Sequence, residues 1–90
     1  MFTVHKYQLP TSGFVVLDLP GRSKTLCVKV QYGVPVLYVL KDMRAFDFRR
    51  VHIQAVLTGE SVPRLPCKHV GTAMLHDGTF VVHYFSEENV

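Results

Sequence analysis

An Asp-Gly pair, Asp77-Gly78, lies inside the apolar, β-branched segment that runs from His69 to Phe85. This is the strongest short-range signal for a β-hairpin. A type I′ turn needs positive φ at both central residues, and Asp-Gly tolerates it. The rest of the chain repeats the same grammar. Thr3 to Leu9 and Gly13 to Leu19 read as strands, ended by Pro10 and by Pro20-Gly21. Thr25 to Gln31 and Val34 to Lys41 form a hairpin about Tyr32-Gly33. Arg49 to Thr58 alternates cleanly, which predicts Val51, Ile53, Ala55 and Leu57 inward and Arg50, His52, Gln54 and Thr58 outward.

A two-residue loop at Tyr32-Gly33 sets Gln31 opposite Val34, Lys29 opposite Val36 and Cys27 opposite Tyr38. Leu26, Val28, Val30, Leu37 and Val39 then make the core face. Val34 to Leu40 is apolar on both faces, as a central strand is. Pro35 has no N–H, so its nitrogen should face away from a partner or sit at a bulge. Lys41 to Arg50 reads as a loop with room for one helical turn, and Ser61 to Lys68 as a Pro-rich loop. Fifteen valines against three alanines favour a pleated sheet. The expected fold is all-β: one domain over residues 1–90, an antiparallel sandwich or barrel of six to seven strands.

Several function classes find no support in the residues. No nucleophile elbow, phosphate loop or carboxylate pair is present, so an enzyme is not expected and no cofactor is implied. Two cysteines, Cys27 and Cys67, are too few for a disulfide framework. Cys67-x-His69 has ligand character but lacks a second knuckle, so no metal site is expected. No signal peptide is visible at Met1 to Lys6, and no apolar run approaches the ~20 residues of a membrane span. A cytoplasmic protein with reduced thiols, and no membrane partner, is the expectation.

The net charge of +3 is unevenly placed. Residues 20–68 hold nine of the ten Lys and Arg and three of the seven acids. That pattern suits an anionic partner, or an oligomer whose basic middle meets another copy's acidic end. Eight of the ten basic residues fall into three groups: Arg22 and Lys24; Lys41, Arg44, Arg49 and Arg50; Arg64 and Lys68. Phe46 and Phe48 interleave the second group. Arginine forks with aromatics suit phosphates, nucleotide-sized anions or a protein surface. Arg49 falls on the inward side of its strand by strict alternation. Of the five histidines, His76 and His83 share a face of the last hairpin under a two-residue loop, and His69 falls on the other face. The candidate binding residues are therefore Arg44, Phe46, Phe48, Arg49 and Arg50, followed by His52, His76 and His83.

His5-Lys6-Tyr7-x-Leu9, the hairpin from Leu26 to Leu37, Thr58-Gly59, His69-Val70-Gly71-Thr72 and Phe80-Val81-x-His83-x-Phe85 occur in that order along nearly the whole chain. The pattern resembles a family of small bacteriophage and prophage proteins with no assigned activity. The resemblance implies a phage context and a compact β fold, and carries over no site residue. The chain departs from the pattern at 41–48, where more Pro and acid would be expected. In that context the first functional expectation is a non-enzymatic protein in the host cytoplasm that binds and inhibits a host protein, a defence or transcription component. The alternative is a homo-oligomeric binder of a small anionic ligand such as a nucleotide. A nucleic-acid-binding or virion-associated module ranks third.

Overall fold

The computed structural model describes residues 1–62 and 68–88. Seven strands follow one another: β1 (Phe2–Gln8), β2 (Gly13–Pro20), β3 (Lys24–Gln31), β4 (Val34–Asp42), β5 (Phe48–Leu57), β6 (Lys68–Leu75) and β7 (Phe80–Ser86). They form two antiparallel sheets, β1-β4-β3 and β2-β5-β7-β6, which makes the fold an all-β sandwich. The segment at 43–47 turns without forming a helix. Among the described residues no helix is long and apolar enough to cross a membrane.

The two hairpins follow from turn chemistry. Tyr32 and Gly33 have φ of 52° and 76°, and the strands they join pair Gln31 with Val34, Lys29 with Val36 and Cys27 with Tyr38. Asp77 and Gly78 also take positive φ, as a type I′ turn needs. His76 joins them at φ 49°, so β6 stops at Leu75. β4 is the central strand of its sheet. The Pro35 carbonyl accepts the Leu9 N–H at 2.9 Å. No reciprocal bond can form, and β1 ends at this point.

The two inner faces meet in a core that includes Leu19, Leu37, Val39, Val51, Ile53, Val82 and Tyr84, all fully buried. Side chains of this size contribute about 1.5–3 kcal/mol each on burial. Ala55 is buried with them, and Leu57 packs half-buried against the cluster.

Two core-face assignments are corrected, each for a local reason. A β-bulge between Thr25 and Cys27 makes Leu26 an extra residue. Thr25 takes the inward place opposite Val39, and Leu26 is 49% exposed. Val30, at the hairpin end, is also exposed. Gln54 points outward from the core yet is only 3% exposed, because Phe14 and Phe85 flank it on the neighbouring strands.

The Tyr84 hydroxyl donates to the Pro10 carbonyl at 2.7 Å, and burial pushes its pKa up to about 12. The folded state thus favours the neutral phenol. Its contribution is complete below the unfolded value near 10 and is lost as pH rises through 12. Tyr84→Phe should cost about 1 kcal/mol at neutral pH. Between pH 10 and 12 the variant should gain on the wild type by on the order of 2 kcal/mol. Urea unfolding at stepped pH reads this, and a gap that stays constant from pH 9 to 12 would disprove the assignment.

Candidate functional site

The turn at Pro20-Gly21 and the segment 43–47 meet at one end of the sandwich, and polar bonds lock them together. Ser23 is fully buried; its hydroxyl donates to the Pro20 carbonyl and accepts the Asp42 N–H at 2.8 Å. The Asp42 carboxylate accepts the N–H groups of Arg22 and Arg44, each at 3.3 Å. The Arg22 N–H holds the Asp42 carboxyl below its usual 3.8; partial burial opposes this, and the Arg44 N–H adds to it. Gly21 donates its N–H to the Asp47 carbonyl at 2.9 Å, and Met43 donates to the Met1 carbonyl at 2.9 Å. Gly21 has φ +46°, and a Cβ there would collide with the Ala45 side chain. Only glycine fits this crossing.

Arg49 belongs to this lock. Its guanidinium donates to the Gly21 carbonyl and, at 2.8 Å, to the Ser23 carbonyl, and lies 3.5 Å from the Glu88 carboxylate. The inward position implied by alternation is the one it occupies, and its fork is committed to the fold. Arg50 is exposed and lies 3.5 Å from Asp18. Acidic groups near both ends of the chain thus meet the basic middle within one molecule.

What the lock presents is aromatic. Phe46 is 99% exposed and Phe48 64% exposed. Phe46 shares a shallow open depression with Met1, Phe2, Arg22 and Arg44, while Met43 is exposed on the same loop. Arg44 and Phe46 are therefore brought together as expected. The N-terminal Met1-Phe2 joins them through the Met43–Met1 bond and Arg22 through the Asp42 carboxylate, pairings that the linear sequence does not signal. Phe48 begins β5 opposite Pro20.

The histidines lie elsewhere. The outer face of the four-stranded sheet carries His52, stacked on Phe14 at 5.7 Å between ring centroids, with its Nδ1 4.0 Å from Glu87. His83 meets the Thr58 hydroxyl at 2.7 Å and the Thr72 hydroxyl at 3.2 Å. His69 reaches the same Thr72 hydroxyl at 3.0 Å and lies edge-on to Phe85. The expectation that His69 points the other way is corrected by a second bulge, between His69 and Gly71, which shifts the register by one residue. His76 does not join His83. Its positive φ places it in the turn, where its ring meets Phe80.

Among the described residues no group of three or more His, Cys, Asp or Glu comes together to hold a metal ion. Arg64 and Cys67, and with Cys67 the Cys67-x-His69 pair, lie outside the described residues. No curated protein and no solved structure matches the chain. One family model matches over residues 1–90, and the chain belongs to that family, described as Domain of unknown function (DUF7352).

Proposed function

We propose that the protein is a small non-enzymatic module of phage type that binds a host protein, a defence or transcription component, and inhibits it through the end bearing Phe46. The observation that carries this reading is the Phe46 ring. It stands almost wholly in water on a loop held by buried polar bonds. An aromatic displayed on a rigid mount suits insertion into a partner's pocket, where such anchors dominate binding energy. Arg22 and Arg44 rim the same depression with Asp42 and Asp47 beside them, so the fitting partner has an apolar notch bordered by charges of both signs. The phage context rests on the motif resemblance alone. Arg49 and Arg50 already face Glu88 and Asp18, which favours a protein partner over a small anion at this end.

The test is capture from lysate of a bacterial host with the wild type and with Phe46→Ser, identification by mass spectrometry, and an activity assay on the purified partner. The expected result is one polypeptide retained by the wild type, lost by at least about tenfold with Phe46→Ser, and inhibited on binding. The reading fails if every retained polypeptide binds Phe46→Ser equally well.

A further inference from the structure

The outer face of the three-stranded sheet is a surface of a different kind. Its cross-strand register runs in rows: Val4, Leu40 and Lys24; Lys6, Tyr38 and Cys27; Gln8, Val36 and Lys29. Each row has its side chains on the face opposite the core residues Leu37 and Val39. Lys6, Lys24 and Lys29 are all exposed and surround Tyr38, which is half-buried with its ring on this face. The Lys6 ammonium reaches across to the Gln31 side-chain Oε1 at 2.8 Å, and the register places the buried Val36 beneath that bridge.

Strand geometry sets the spacing. Lys24 and Lys29 lie about 13 Å apart along the sheet, and Lys6 lies about 10 Å across from them. Among the described residues of β1, β3 and β4, Asp42 is the only carboxylate, and its oxygens are turned to the N–H groups of Arg22 and Arg44. Among the described residues none of the three lysines is in an ion pair. The opposite sheet, by contrast, carries Asp18 and places Glu87 and Glu88 beside its strands. Tyr32, 97% exposed at the hairpin tip, adds a second ring at the end of the surface.

We infer that this lysine-and-tyrosine face binds single-stranded nucleic acid, with Lys6, Lys24 and Lys29 on the phosphates and Tyr38 stacking against a base. A flat sheet with a central ring and flanking cations meets an unpaired strand's alternation of phosphate and base. A duplex hides its base faces and offers the ring nothing to stack on. The inference is independent of the Phe46 end and uses none of its residues.

Fluorescence anisotropy with an oligothymidylate of about 15 nucleotides tests it. A Kd of ~10⁻⁵ M is expected near 50 mM salt, with log K falling against log salt at a slope of about −2 for three phosphate contacts. Each of Lys6→Gln, Lys24→Gln and Lys29→Gln should flatten the slope by about 0.7. Tyr38→Leu should weaken binding at least about fivefold at an unchanged slope, with folding checked by thermal unfolding. Phe46→Ser should bind as the wild type does, which separates this inference from the protein-binding reading. Three results overturn it: no binding at low salt, binding indifferent to the three lysines, or lysine-dependent binding to anionic vesicles without binding to the oligonucleotide.

Discussion

Gly71→Ala should destabilise the protein by about 3 kcal/mol, more than a single added methyl group ordinarily costs on an open sheet. Gly71 lies on β6 where the edges of the two sheets converge. A Cβ there would stand 2.6 Å from Val28 Cγ2, 2.7 Å from Val28 Cβ and 3.2 Å from the Val28 backbone nitrogen. A rotamer change moves Cγ2 but not Cβ or the backbone, so β3 and β6 must separate to admit it. That separation opens the core beside Val28 and Val70. For a domain of this size the melting temperature should fall by more than about 10 °C. Val28→Ala removes the colliding Cγ2 but keeps the Val28 Cβ and backbone, and costs about 2 kcal/mol alone through the space it leaves. The double variant should therefore stay within about 1 kcal/mol of the sum of the two single costs, since the clash with the residue-28 Cβ persists. Chemical unfolding of the four proteins closes the cycle. A Gly71→Ala protein as stable as the wild type would show that the strands do not approach this closely.

The same region shows what the sequence made legible and what it did not. Strand order within each hairpin was readable because Tyr32-Gly33 and Asp77-Gly78 demand positive φ, a property of the residues themselves. The central place of β4 was readable because neighbours on both edges leave a strand little side-chain surface in water even on its outer face, which suits apolar residues there. The bulges at Leu26 and Val70 were not readable: an extra residue in a ladder is set by the partner strand's length and twist, and apolarity does not mark it. That is why simple alternation places His69 on the wrong face. Gln54 is a second case. Its burial comes from Phe14 and Phe85, which only the sheet order brings to its sides. At the candidate site, Arg44 and Phe46 were legible as a basic-aromatic loop, whereas Arg22 and Met1-Phe2 reach it through tertiary contacts.

Arg49 and Arg50 are adjacent arginines, and they should respond to the same substitution in opposite ways. Arg49→Met keeps an apolar stem but removes the donors that satisfy the Gly21 and Ser23 carbonyls. Losing charged donors to part-buried carbonyls should cost about 2–3 kcal/mol, and Glu88 loses its partner as well. Arg50→Met breaks one exposed pair with Asp18 and should change stability by less than about 1 kcal/mol. The difference reaches function through the chain of bonds. Arg49 ties the turn at Gly21, Gly21 donates to Asp47, and Asp47 follows Phe46 in the loop. Arg49→Met should therefore also weaken any Phe46-dependent capture at temperatures where the domain is still folded, because the mount of the ring is loosened while the ring itself is kept. Thermal unfolding and capture measured on the two variants side by side decide the matter. Equal stability costs would return Arg49 to the set of free surface cations. A large stability cost with undiminished capture would show that the Phe46 loop holds its shape without the lock.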